Sequence, residues 1–195
     1  TPHEGGIGLA PQQALVNFID NHDIPRFAFD NSDERALMAA LSFLLTEDGI
    51  PCIYYGTEQG FSGGNDPANR EPLWWGGFET DGALFQHTAE LIRTRKTYRA
   101  LRRGDFKILW SSDRVDAEED AGVLAFERLD GDDRVLVVLN AHADAAHTAF
   151  EGTSMRTGFA AGTTLSVVFP VGDERTVSVD SQGRANIELQ GYETL

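Results

Sequence analysis

Phe18-Ile19-Asp20-Asn21-His22-Asp23, and after it Gly49-Ile50-Pro51-Cys52-Ile53-Tyr54-Tyr55-Gly56-Thr57-Glu58, are the two runs on which the reading of this chain turns. Ala14 to Ile19 is short and mainly apolar, the pattern of a strand buried on both faces. The polar cluster Asn21-His22-Asp23 then falls where a parallel strand opens toward solvent, a place where functional side chains gather. There Asp23 can accept hydrogen bonds from hydroxyl groups and His22 can donate them. Next, Asn31-Ser32-Asp33-Glu34 offers a capping box, with Asn31 as cap and Glu34 three residues on. The helix it opens presents Leu37, Leu41, Leu44 and Leu45 on one side, beside Ala36 and Ala40, and stops before Gly49.

Ile50 to Tyr55 is the second strand, with Pro51 near its start, where a missing N–H is tolerated. The Gly-rich stretch Gly56 to Gly77 leads to a second helix from about Asp81 to Leu101. Its apolar face is Leu84, Phe85, Leu91 and Ile92, and Arg93, Arg95 and Lys96 gather near its C-terminus. Strand, helix, strand, helix implies parallel strands with crossover helices.

The periodicity changes near Gly104, which divides the chain into residues 1–104 (α/β) and 105–195 (all-β). Strands are expected at Lys107–Trp110, Val123–Arg128, Val135–Asn140, Leu165–Phe169, Thr176–Val179 and Asn186–Leu189. Turn signals such as Asp130-Gly131-Asp132-Asp133 and Gln182-Gly183 separate them, which argues for an antiparallel sandwich. The charged segment Asp113–Asp120 reads as a solvated hairpin tip.

Across 195 residues there are 31 acidic against 16 basic side chains, a net charge of -15. Such a surface repels nucleic acid and anionic membranes, so neither is an expected partner. Cys52 is the only cysteine, which excludes an intrachain disulfide and a thiolate metal cluster, and its apolar setting predicts a small buried hydrophobe. No apolar stretch approaches the roughly 20 residues of a membrane-spanning helix.

Phe-x-x-Asn-His-Asp followed by Gly-Ile-Pro-x-Ile-Tyr-Tyr-Gly-Thr-Glu resembles the closing half of the α-amylase-type (β/α)8-barrel glycosidases, glycoside hydrolase family 13. The resemblance is strong over Leu15–Trp74 and thinner over the helix to Leu101. It implies that residues 1–104 are the last βα units of a TIM barrel and that residues 105–195 are a C-terminal β-sandwich. The implied chemistry is retaining hydrolysis of α-1,4-glucans such as starch or maltooligosaccharides. The alternatives are a cyclodextrin-forming transglycosylase and a non-catalytic carbohydrate-binding relative. A sugar platform on the sandwich itself is disfavoured, because Trp110, Phe126, Phe150, Phe159 and Phe169 mostly occupy strand-interior positions.

By the same resemblance, Asp23 matches the family's transition-state-stabilising carboxylate and His22 its partner at the sugar hydroxyls. Asp66 and Arg70, in an Asp-Pro-x-Asn-Arg loop, match contacts to glucose units away from the cut. Trp74, with Trp75, offers a stacking face for a sugar ring, with burial against the barrel rim as the other reading. Glu58 is placed along the cleft, and Asp20 is read either as a support behind the substrate-contacting residues or as structural. A retaining site also needs a nucleophile and an acid/base carboxyl about 5 Å apart. No pair here qualifies by resemblance, so both are expected upstream of Thr1, and the chain is expected to be a C-terminal portion inactive by itself. No metal ligand or cofactor is assigned to these residues, and calcium, common in the family, is expected only in the upstream part. Secretion or a periplasmic location is expected, with the cytoplasm as the alternative and any targeting segment outside this chain.

Overall fold

The computed structural model describes residue 6 and residues 8–195. The chain divides into two compact units, one reaching to Lys96 and including Leu101–Arg103, the other made of Thr97–Ala100 and Gly104–Leu195.

The first unit begins with α1 (Pro11–Ala14), β1 (Val16–Asn17), α2 (Phe27–Asp30), α3 (Glu34–Thr46) and β2 (Ile50–Pro51). β1 and β2 pair in parallel, Val16 opposite Ile50 and Asn17 opposite Pro51. The N–H groups of Ile50 and Cys52 donate to Leu15 O and Asn17 O, both at 2.8 Å, so Pro51 sits where the ladder needs no donor.

The strands are shorter and less covered than their sequence predicts. Ala14 closes α1 rather than opening β1. Leu15, Val16, Phe18 and Ile50 are about half exposed, and Cys52 is exposed rather than buried. A parallel strand is buried only when it has neighbours along both edges and helices on both faces, and this sheet is two strands wide among the described residues.

α3 buries Leu37, Leu41, Leu44 and Leu45 as its periodicity predicts. Its cap is Asp33 rather than Asn31: Asp33 accepts from Arg35 N at 3.0 Å and pairs with the Arg35 guanidinium at 2.7 Å. That hydrogen bond holds the Asp33 carboxyl below the usual carboxylate range. Asn31 instead accepts from Asp33 N and sets up the turn before the cap.

The second predicted helix is broken at Tyr98–Arg99 into α4 (Ala83–Thr97) and α5 (Ala100–Arg103). Arg95 does more than face a helix dipole. It is buried and donates to Leu45 O at 2.8 Å and Gly49 O at 2.9 Å, satisfying carbonyls left open where α3 ends. His87 Nε2 lies 3.0 Å from Met38 O and 3.1 Å from Ser42 Oγ. Since a carbonyl only accepts, Nε2 carries the proton, and burial pushes the His87 pKa down toward the neutral ring.

The second unit is built from antiparallel strands: β3 (Asp105–Ser111), β4 (Val123–Asp130), β5 (Asp133–Asn140), β6 (Ala146–His147), β7 (Ala149–Phe150), β8 (Thr153–Arg156), β9 (Thr164–Ser166), β10 (Thr176–Ser178), β11 (Arg184–Ala185) and β12 (Glu188–Leu189). β3–β4–β5 form a meander, β7–β8–β11 a second sheet, and β9–β10 and β6–β12 are pairs. Val123, Ala125, Val138, Ala146, Met155, Ala185, Ile187 and Leu189 bring these elements onto a shared core. β6, β7, β8 and β11 lie in segments where no strand is predicted, and the run Leu165–Phe169 is strand only as far as Ser166. The segment Asp113–Asp120 does join β3 to β4, but it is not simply solvated. Asp120 is fully buried, accepting from the Trp110 indole at 2.9 Å and from Arg114 Nε at 2.6 Å. With Trp110 so engaged and Phe126 and Phe169 buried, these aromatics serve packing rather than an exposed platform.

Candidate active site

Two loops converge beyond the ends of β1 and β2: Phe18–Phe27 after the first, and Gly56–Gly77 after the second. Asp20, 1% exposed, joins them. Its carboxylate accepts from Thr57 Oγ1 at 2.7 Å and from Phe27 N at 3.2 Å, the open donor at the start of α2. This is the structural part its sequence position suggests.

The next connection is Arg26, whose side chain is wholly buried. Nε donates to Glu71 Oε2 at 3.2 Å and Nη1 to Thr57 Oγ1 at 3.4 Å. The guanidinium lies 4.0 Å from the Tyr54 ring centre, with Tyr55 and Phe61 beyond it. Burial pushes the Tyr54 hydroxyl pKa up, and its hydrogen bond with Tyr55 adds to this, so Tyr54 stays neutral beside the buried cation. Glu71 also accepts from the N–H groups of Ser62 (2.9 Å) and Gly63 (2.6 Å). Arg26 N in turn donates to Gly63 O at 3.0 Å.

Glycine is required at two points of this loop. A Cβ on Gly63 would stand 1.9 Å from Ala68 O, and Gly56 combines φ of +86° with the Phe61 ring against it. The Asp66–Pro67 peptide is cis.

Inside the loop Asn69 is fully buried. Its Nδ2 donates to Ile24 O at 2.8 Å and Asn21 O at 3.3 Å. Arg70 pairs with Asp66 at 2.8 Å and donates through Nη2 to His22 O at 3.3 Å. On this framework stand His22 and Asp23, with side chains 58% and 72% exposed and His22 Nε2 3.4 Å from Asp23 Oδ1. Asp23 N donates to Asn21 Oδ1 at 2.7 Å, and the His22 ring centre is 6.4 Å from that of Tyr54.

Of the residues singled out by sequence, the fold brings together His22, Asp23, Asp66 and Arg70. Trp74 stands apart in the 3-10 turn Leu73–Gly76, 68% exposed, with Trp75 at 73%, and shares no hydrogen bond or ion pair with the other four among the described residues. Glu58 accepts from Gly56 N at 3.0 Å. Arg26, Asn69 and Glu71 are what sequence reasoning missed. The contacts by which they join the two loops span 31 to 48 residues, and only their position inside the two polar runs hints at them. No group of three or more His, Cys, Asp or Glu side chains among the described residues is arranged to hold a metal ion, and no described helix is long and apolar enough to cross a membrane.

The chain is similar in sequence and fold to known proteins. Residues 8–104 match the family model "Alpha amylase, catalytic domain". A cyclomaltodextrinase of Geobacillus thermopakistaniensis is 38% identical over 135 residues, which is 69% of this chain and 22% of the relative. A cyclomaltodextrin glucanotransferase of Geobacillus stearothermophilus is 35% identical over 171 residues, 88% of this chain and 22% of the relative. The crystal structure of a gamma-CGTase from an alkalophilic Bacillus clarkii superposes with a TM-score of 0.76 at 31% identity, covering 94% of this chain and 26% of that one. The chain belongs to the α-amylase family. It spans about a quarter of the length of these relatives.

Proposed function

We propose that this chain supplies one wall of the active site of a retaining α-glucosidic hydrolase acting on α-1,4-glucans such as starch or maltooligosaccharides. In this reading β1 with α3 and β2 with α4 are the last two βα units of a (β/α)8 barrel, and residues 105–195 are the antiparallel sandwich that follows. The half-exposed Leu15, Val16, Phe18 and Ile50 are then surface that further barrel elements cover.

One observation carries the chemical reading. The loop carboxylates Asp20, Glu71 and Asp66 are each engaged by donors of the framework, whereas Asp23 projects into solvent with only His22 beside its carboxylate among the described residues. An anchored backbone carrying a free carboxylate and imidazole suits a group that grips the ring hydroxyls of a sugar. Those bonds strengthen as the ring gains oxocarbenium character, and strengthening in the transition state is what makes them catalytic. In this reading the nucleophile and the acid/base carboxyl, which no pair in these residues matches by resemblance, are supplied from outside these 195 residues. Asp66 and Arg70 contact glucose units further out, and Trp74 adds a stacking face.

Transfer to a sugar hydroxyl rather than to water is the second reading, supported by the similarity to a glucanotransferase over 88% of the chain. Both readings predict retention. The test is proton NMR of the first products formed from maltoheptaose by the complete natural protein. New reducing ends appearing as the α-anomer support retaining hydrolysis, cyclic or lengthened products select transfer, and β-anomers would overturn both.

A further inference from the structure

We infer that Asn69 is a positioning residue that couples occupancy of the Asp66–Arg70 loop to the placement of Asp23, so that a longer glucan is turned over faster and not merely bound more tightly. The inference rests on the sugar-gripping reading of Asp23 and deepens it. His22 and Asp23 are exposed, so packing does not hold their side chains, and their position is set by the backbone beneath. That backbone is held from one direction. Asn69 Nδ2 donates to Asn21 O and Ile24 O, and Arg70 Nη2 donates to His22 O. The carbonyls bracketing Asp23 are thus gripped by two adjacent residues of the outer loop.

Asn69 is fully buried, and its Oδ1 has no partner among the described residues. Turning the amide over would set that oxygen against two carbonyl oxygens, so the donor orientation is fixed. A side chain kept only for packing has no need of a buried, unpaired acceptor, which lowers stability. The amide is there for its N–H groups.

The outer loop can transmit a displacement because it is closed on itself. Glu71 ties its end to the Ser62 and Gly63 amides, and Gly63 lies close under Ala68. A glucan hydroxyl entering at Asp66 competes with the 2.8 Å Arg70 pair, and any shift of Arg70 is felt at His22 O. Small displacements at a reacting centre cost up to about a hundredfold in rate.

The experiment compares kcat for maltotriose and maltoheptaose in the complete natural protein and in its Asn69→Asp variant. This substitution preserves size but replaces the two N–H donors by carboxylate oxygens. The native protein should show a kcat advantage of about tenfold for the longer substrate, falling to about onefold in Asn69→Asp. General damage to the fold would lower both rates together and leave their ratio intact, so a native ratio in the variant overturns the inference. A native protein with equal kcat on the two substrates overturns it as well. If Asn69→Asp does not accumulate as folded protein, Arg70→Lys serves in its place. It keeps a cation beside Asp66 and loses the forked guanidinium that also reaches His22 O, and its ratio is read in the same way. Asp23→Asn run alongside separates the two levels. Native turnover in that variant removes the reading of the site itself, whereas lost turnover with a native Asn69→Asp ratio removes only the coupling.

Discussion

Arg26→Met is the perturbation whose cost follows most directly from the structure. The guanidinium is wholly buried and the Glu71 carboxylate only 17% exposed, so the pair is desolvated on both sides. Removing one member of such a pair strands the other charge and costs about 3 to 5 kcal/mol. Glu71 keeps its two amide donors and slight access to water, which places the effect near the lower end, about 3 kcal/mol. At about 1.4 kcal/mol per decade, the equilibrium for opening the loop rises about a hundredfold.

Hydrogen exchange reads this locally in the complete protein. The amides of Ser62 and Gly63, which donate to Glu71, should lose about two decades of protection in Arg26→Met, while amides of the β3–β4–β5 meander keep theirs. Adding Glu71→Gln to the variant neutralises the stranded charge while leaving, in place of Oε1, an oxygen that can still accept from both amides. The double variant should therefore be no more than slightly worse than the single one, a clear departure from additivity. A loss of less than about fivefold at Gly63, or strictly additive effects, would refute the argument that a desolvated ion pair holds the two loops together.

Asp120 predicts an acid limit for the second unit. The Arg114 hydrogen bond holds its carboxyl below the usual carboxylate range, with burial opposing and the Trp110 bond assisting. A depressed folded-state pKa contributes stability above the unfolded value of about 3.9 that is lost as pH falls through the folded value. The melting temperature of native protein should thus drop as pH falls below about 4, and Asp120→Asn, less stable at neutral pH, should show a flatter dependence. Equal slopes in the two proteins would contradict this. Cys52 tests the barrel proposal: a thiol reagent should label it readily in the 195-residue chain and slowly in the complete native protein, where the neighbouring strand covers it. Fast labelling of both would mean that β2 has no such neighbour.

What the sequence disclosed and what it concealed divide along the range of the interactions. The order of β1, α3 and β2, the leucine face of α3 and the β4–β5 hairpin rest on local period and turn chemistry, and each is visible in a window of ten or so residues. The Asp33 cap was obscured because Asn31 and Asp33 are both good caps, and the Arg35 guanidinium decides between them. The break at Tyr98–Arg99 interrupts a run whose composition gives no stop signal, and Asp133 Oδ2 satisfies the Ala100 amide exposed by it, a contact 33 residues away. The burial of Asp120 depends on Arg114 and Trp110 folding over a loop that reads as solvent-facing. Within the site, the exposed His22 and Asp23 stand out as motif residues. The buried Arg26, Asn69 and Glu71 that hold them are joined only by the meeting of two loops.

The most direct test of the account is the turnover of the Asp23→Asn variant of the complete natural protein on maltoheptaose, with its melting temperature measured alongside. Asp23 is 72% exposed, and among the described residues only His22 approaches its carboxylate, so the melting temperature should match that of native protein. Turnover should fall by about a hundredfold to a thousandfold, the order lost when a main transition-state electrostatic contact is removed. Near-native turnover at unchanged melting temperature would contradict the claim that this chain contributes the sugar-gripping carboxylate of an α-glucosidic active site.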